Sequence, residues 1–450
     1  MDAMSEARPA TAADSTATPT TTRAVAAAAG ESTLKVGFNV LNTIIGSGIV
    51  CLPYALHNAG FVFGLAMLVA TAAMSQLSLY ALVATGKRTG TAHFSSVTLA
   101  ALGRPGYHLL NWSMIVDMIG TVILYLMILG DLATALANRY LPVAVGRACI
   151  VLGVSTVVVL PLLFFRNTGP LARLSVVSIL CLPYILLAVA LRAPHYAGRV
   201  KVEYPVLGPR VLPAMGVIAF TFSSCHAAFP NYAGLRERST AAWVRASSFA
   251  TASATAVSVA FAVTGYVSFG SKAQANILEN FPDSDGAINL ARLLFAVSLV
   301  LTTPMGFYPI RDTVTEMLKI DPERHGVSPI WESACTVVLF AVCAVSAALV
   351  TDLGLAFELI GTLSSSVVNF LLPALVFLWA GTDVSLAQIV SRCRRAGASG
   401  GEHGSLLPAS GDSGCCEQLR WRDVSLWALA WAVAAFGVWV MVLGTYNIGR

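Results

Sequence analysis

Charged residues fall in short clusters along the chain, and the apolar stretches between them run for roughly 18 to 27 residues, the length a helix needs to cross a bilayer. Eleven such stretches can be marked, at about 34–57, 61–86, 109–137, 147–165, 172–192, 211–234, 245–270, 288–310, 331–351, 353–380 and 423–447. The pattern predicts an all-α polytopic membrane protein with eleven transmembrane helices. An odd number of crossings puts the two termini on opposite sides. With the N-terminus in the cytoplasm, the loops assigned inside hold 19 of the 28 Lys and Arg and those outside hold 9, in keeping with the positive-inside rule. Lys87 with Arg88, Arg236 with Arg238, and Arg392, Arg394 and Arg395 all then lie inside. The expected orientation is N-in, C-out.

Composition sharpens this reading. Of 450 residues, 56% are hydrophobic and 11% charged, against about a quarter charged in soluble domains, so a soluble globule is excluded. The net charge of +5 marks cytoplasmic loops rather than a nucleic-acid partner. Nine cysteines, with no CxxC spacing, sit mostly in apolar runs as at Cys51, Cys149, Cys181, Cys335 and Cys343, and predict neither a disulfide framework nor a zinc site.

Residues 1–33 are rich in Ala, Thr and Pro and hold no aromatic residue, which predicts a disordered cytoplasmic tail. The Ala26–Ala29 run is too weakly apolar for a signal-peptide core, so the first span doubles as the insertion signal and no cleavage is expected. Residues 34–380 are expected to form the membrane-spanning core, 381–422 a flexible Gly/Ser-rich cytoplasmic loop, and 423–450 the eleventh helix with the C-terminus. Within that loop, Glu402 to Leu407 has the acidic-dileucine spacing that sorting adaptors read, and Cys415 and Cys416 sit where juxtamembrane cysteines can be palmitoylated.

A helix that breaks in mid-membrane has to line a cavity, because lipid satisfies no backbone group. The first span carries Gly46-Ser47-Gly48 at its middle and Pro53 five residues later. Opening it there frees carbonyls on one side and N–H groups before Ile49 on the other; the former suit a cation or ammonium group, the latter a carboxylate. The competing reading is a small-residue packing contact. The sixth span is interrupted at similar depth by Phe222-Ser223-Ser224-Cys225-His226 and then Pro230. Two broken helices five spans apart predict a 5+5 inverted repeat, spans 1–5 and 6–10, with substrate at the two breaks.

The string Asn42-Thr43-Ile44-Ile45-Gly46-Ser47-Gly48-Ile49, followed by Leu52-Pro53-Tyr54-Ala55 and Ala59-Gly60-Phe61, resembles the opening helix of the sodium-coupled neutral amino acid transporters of the amino acid/auxin permease superfamily. Tyr125, Gly130-Asp131, Arg166-Asn167, Cys225-His226, Pro304 with Phe307, Pro309-Ile310-Arg311, Gly361 and Leu372-Pro373 extend the likeness over about residues 34–448. The resemblance implies a LeuT-like fold with an extra C-terminal helix and the co-transport of neutral L-amino acids with sodium by alternating access. It implies a sodium site at Asn42 and Thr302, with Ile45 and Thr303 beside them. The substrate site is expected at Gly46, Ser47, Gly48, Ile49, Tyr125, Phe222, Ser223, Ser224 and His226. The competing reading of Asn42 is an interhelical hydrogen bond.

The remaining intramembrane ionisable residues are Asp117, Asp131 and Glu358. Asp117 is a candidate for an internal pair or a proton site; Asp131, near a helix end, is read as solvated; Glu358 is read as paired with a basic loop residue. His226 could titrate near neutral pH or simply bond a freed carbonyl. Proton coupling through Asp117 or His226 therefore stands as an alternative to sodium, and an amino acid sensor as another. An enzyme is not expected, since Asp117 and Asp131 are about 21 Å apart along one helix and no HExxH, GxSxG or Walker motif occurs. Expected partners are a neutral amino acid and the bilayer of a plasma, lysosomal or vacuolar membrane; the chain is expected to be monomeric. The two breaks, Gly46 to Gly48 and Ser223 to His226, offer backbone and small hydroxyl groups and no charged side chain, which favours neutral over acidic or basic substrates.

Overall fold

The computed structural model describes residues 30–140, 145–164, 168–196, 202–318, 328–380 and 426–442. Among them every regular element is helical, and the sole strand-like contact is an isolated bridge between Glu31 and Leu235. In chain order the helices are α1 (Thr33–Ile44), α2 (Leu52–Ala59), α3 (Phe61–Thr89), α4 (Phe94–Tyr140), α5 (Arg147–Leu163) and α6 (Thr168–Tyr196). They continue with α7 (Val211–Thr221), α8 (Ala228–Gly234), α9 (Thr240–Phe269), α10 (Gly286–Met317), α11 (Pro329–Leu349), α12 (Leu353–Ala380) and α13 (Leu426–Val442).

Among the described residues, seven helical segments are long and apolar enough to cross a membrane: α3, α4, α7 with α8, α9, α10, α11 and α12. An eighth results when α1 and α2, bent by 47° at a short break, are taken as one broken span. The shorter apolar helices α5 and α13 join them. This is a multi-pass integral membrane protein; ten of the eleven apolar runs overlap one of these helical segments, and the run at 172–192 falls on α6. The Glu402–Leu407 string, Cys415 and Cys416, and all but the last residues of the N-terminal tail lie outside the described residues.

Local chemistry sets where helices start and bend. Ser32 caps α1 by accepting the Lys35 N–H at 3.3 Å, and Glu31 pairs with Lys35 at 2.6 Å. Residues 30–32, read from sequence as part of the tail, are held by backbone bonds from Glu31 N–H to Gly234 O (2.7 Å) and from Arg236 N–H to Glu31 O (2.9 Å). Ser239 and Asp352 cap α9 and α12 in the same way as Ser32. The third apolar run extends back into a 47-residue α4, which kinks where Gly103 takes φ +66°, a conformation open to glycine, two residues before Pro105.

Packing then places the breaks. The half-helix α2 lies against α7, and α1 against α9, while α10 packs on α4 and α6. α12 crosses α7 at its closest where Gly361 meets Gly216: a Cβ at Gly361 would lie 1.8 Å from Gly216 O, so only glycine lets the two backbones approach. Directly after Ile360, α12 widens into two π-helical turns, Gly361–Ser365 and Val367–Leu371. Such turns rotate side chains out of α-helical register and concentrate at functional positions.

Candidate functional site

The first break opens where α1 ends. Ile45 N–H still reaches Leu41 O at 2.8 Å and Gly46 N–H turns back to Ile44 O at 2.9 Å. A 3-10 turn, Ser47–Cys51, then begins from Gly46 in extended backbone, and no side chain caps it. The first N–H groups of a helix have no acceptor within it, so this end carries free donors and the positive end of the helix dipole. The Ser47 hydroxyl is buried and, among the described residues, unpartnered. Gly48 is packed tightly, since a Cβ there would lie 2.7 Å from Thr221 Oγ1, whereas a Cβ at Gly46 meets nothing within 4 Å.

The second break, Phe222–Ser224, separates α7 from the 3-10 turn Cys225–Ala227 and α8. Here protein side chains take the freed groups. Ser75 of α3 donates to Phe222 O at 3.0 Å. Asn369 of α12 accepts the N–H groups of Ser224 (2.8 Å) and Cys225 (2.9 Å) on Oδ1, and its amide nitrogen donates to Ser223 Oγ (2.6 Å) and Ser365 O (3.0 Å).

Between the two breaks lies a cavity of about 370 Å³. From the first break Asn42, Ile45, Gly46, Ser47 and Gly48 line it; from the second, Ser223 and His226; from α4, Tyr125; from α10, Thr302. Four residues expected there are elsewhere. Ile49 and Phe222 are 2% and 0% exposed and packed in the core. Ser224 is buried with its N–H held by Asn369. Thr303 is buried and donates to Leu299 O at 2.6 Å, because its neighbour Thr302 occupies the cavity face and adjacent helical residues point about 100° apart. Thr302 donates to Ser298 O at 2.8 Å, which leaves its oxygen lone pairs available.

Asp117 also lines the cavity, with Thr121 and Tyr125 at successive turns of the same face of α4. Its Oδ1 accepts from Ser364 (3.0 Å) and Ser365 (2.5 Å) on the first π turn of α12. Asp131 is not simply solvated: Arg147 of α5 pairs with it at 2.5 Å and also donates to Ala347 O and Val350 O, both at 3.3 Å. Glu358 lies 3.6 Å from Arg210 in the loop before α7, the kind of basic partner its position suggested.

Sequence reading passed over Ser75, Ser364, Ser365 and Asn369. The Ser364-Ser365-Ser366 run and a lone Asn in an otherwise apolar helix were the available signals. At one end of the bundle, the loop between α9 and α10 is strapped by the buried Arg292, which binds Asp283 (2.8 Å) and the carbonyls of Leu278 (3.0 Å) and Phe281 (2.8 Å). Burial first, and the nearby Asp131 second, push the Glu279 carboxyl in this loop up to about 7.

No group of three or more His, Cys, Asp or Glu able to hold a metal ion occurs among the described residues; the oxygen donors on this cavity are neutral groups such as Asn42 and Thr302 together with the single carboxylate of Asp117. Residues 29–385 match the family described as transmembrane amino acid transporter protein. A bovine (Bos taurus) protein named "Putative sodium-coupled neutral amino acid transporter 11" is 28% identical over 350 residues, covering 76% of this chain and 74% of that relative. "Vacuolar amino acid transporter 2" of Saccharomyces cerevisiae is 26% identical over 362 residues (76% and 75%), and "Vacuolar amino acid transporter 5" of Schizosaccharomyces pombe 26% over 364 (78% and 86%). With the family match running over well beyond half of its length and a cavity that both breaks line, this chain belongs to the transmembrane amino acid transporter family and is a membrane carrier of amino acids, not an enzyme.

Proposed function

We propose that the chain is a secondary active transporter that moves neutral L-amino acids together with sodium by alternating access, built as eleven spans in a 5+5 inverted repeat of LeuT-like form. The observation that carries this reading is the cavity that both breaks line, one in α1–α2 and one in α7–α8. In this reading the N–H groups at Ser47 and Gly48 hold the substrate carboxylate, with Gly46 keeping the approach open. Sodium takes the Asn42 amide oxygen, the backbone at Ile45 and the Thr302 hydroxyl, which line the same cavity and are the hard oxygen donors a small cation needs. Thr303, buried with its hydroxyl bonded within α10, is not part of this set. The name of the bovine relative points to the same ion and substrate class. The N-in, C-out orientation fits the distribution of Lys and Arg.

A second reading keeps the fold and replaces sodium with a proton carried by Asp117 or His226, both of which line the cavity. Reconstitution in liposomes with radiolabelled alanine or glutamine, varying sodium and pH independently, separates the two. Uptake that collapses when choline replaces sodium at fixed pH supports the first. Uptake undiminished by that exchange and driven by a pH gradient overturns it in favour of the second.

A further inference from the structure

The last helix, α13, does not pack evenly along its length. Towards its end a Cβ on Gly437 would lie 2.9 Å from Leu371 N, so α13 and α12 approach backbone to backbone there. At its start a crevice opens instead. Leu426 and Ala430 of α13 face Leu77 and Tyr80 of α3 and Phe377 of α12 across it, and Tyr80, Phe377, Leu426 and Ala430 belong to a small apolar cluster apart from the main core. The room inside is about 20 Å³, less than a tenth of that in the central cavity, which suits a methylene chain lying along the crevice and no compact solute.

A cation stands at the mouth. The Arg88 guanidinium, at the end of α3, lies 5.6 Å from the centre of the Phe377 ring, which is itself 6.3 Å from the Tyr80 ring. Arg88 is exposed and makes no ion pair among the described residues, and no Asp or Glu borders the crevice. Lys87 beside it donates to Thr240 Oγ1 at 3.3 Å. Leu77 and Arg88 are eleven positions apart, ~16 Å along a helix, or about half of a ~30 Å hydrocarbon core. The crevice therefore runs from the headgroup level through the depth of one leaflet. Trp427 and Trp431, 46% and 51% exposed, flank it on α13, as aromatic side chains do at a membrane boundary.

We propose that this crevice is a binding site for one anionic phospholipid, whose headgroup pairs with Arg88 and one of whose acyl chains lies between α3, α12 and α13. Charge complementarity selects the occupant: an apolar slot open to lipid and headed by an uncommitted cation favours a negative headgroup over a zwitterionic one. The distribution of Lys and Arg puts Arg88 on the cytoplasmic side, where anionic lipids concentrate. The inference is independent of the transported solute and of the coupling ion.

Thermal unfolding of the full chain in a neutral detergent tests it, with phosphatidylglycerol or phosphatidylcholine of identical acyl chains titrated in. Phosphatidylglycerol is expected to raise Tm saturably, by about 3 °C or more beyond phosphatidylcholine. Arg88→Gln should demand about fivefold more phosphatidylglycerol for half of that rise, whereas Arg104→Gln, which removes an exposed arginine from α4, should leave the titration unchanged. Glycerol phosphate, which carries the charge without the chains, should give no shift. Equal stabilisation by the two lipids overturns the proposal in the unmodified chain, without reference to any variant. An unchanged response in Arg88→Gln, or the same loss in Arg104→Gln, also overturns it, since the charge would then not be read at this crevice. A rise with glycerol phosphate equal to that with the lipid would make the site one for a free anion, and dimerisation abolished by Arg88→Gln without added lipid would make the occupant a second copy of the chain; either result overturns the lipid assignment.

Discussion

The two breaks look alike in sequence and differ in what answers their freed backbone groups. At the second, Ser75 and Asn369 occupy Phe222 O and the N–H groups of Ser224 and Cys225, so the distortion is held by protein on both sides. At the first, no side chain caps the 3-10 turn and the Ser47 hydroxyl has no partner among the described residues. A capped break is a structural joint, and an uncapped one is a binding surface waiting for a ligand's charge. The pair teaches that helix interruption alone does not mark a ligand site; the unanswered dipole does.

The strongest way to test that contrast is to block the open break. Gly46→Trp should abolish amino acid uptake while shifting Tm by less than about 2 °C, because a Cβ at Gly46 meets nothing within 4 Å and the ring would fill the cavity. A folded Gly46→Trp protein with normal uptake would remove the first break from the substrate path. Next comes the joint itself. Asn369→Leu leaves two buried N–H groups unsatisfied, at a cost of about 2 to 6 kcal/mol, and should lower Tm in detergent by about 5 °C or more. Asn369→Asp, which keeps the acceptor, should lose less; equal losses would mean that the N–H contacts are not what holds the break.

Smaller effects sharpen the comparison further. Asn42→Ala should raise the half-saturating sodium concentration about tenfold with little change in amino acid preference, as expected for loss of a neutral oxygen ligand at the open break. An unchanged sodium response would withdraw Asn42 from the ion site. Ser75→Ala removes a single bond to Phe222 O and should cost only about 0.6 kcal/mol, read by thermal unfolding.

The least effect is expected away from both breaks, at Glu279. Its carboxyl, raised in the fold to about 7 by burial and Asp131, favours the protonated form there, so its contribution is fully present below the ordinary carboxylate range and is lost as pH rises through about 7. Glu279→Gln should flatten that part of the stability-versus-pH curve, and a curve that keeps its slope would show that another group sets it.

Much of the lining was legible along the chain because it is local: Asn42, Ile45 and Gly46 to Gly48 stand within two turns of one helix, and glycines in the middle of an apolar run announce a break. Ile49, Phe222, Ser224 and Thr303 each neighbour a lining residue but are themselves buried in the core. For Thr303 the reason is helical: one position along α10 from Thr302 turns the side chain by about 100°. The partners from other helices carried weaker marks. Asn369 lies 145 positions from Ser224, and Ser365 lies 248 from Asp117, separations over which spacing along the chain says nothing of contact.

The sequence by itself determined that this is a multi-pass helical membrane protein, since lipid demands long apolar runs with internally bonded backbone, and it located the first break, since Gly-Ser-Gly weakens a helix wherever it stands. Only tertiary structure decided which break stays open and where Asp117 sits. Those outcomes depend on which donors and acceptors of α3 and α12 arrive within about 3 Å of the freed groups, a distance set by packing such as the Gly216–Gly361 contact.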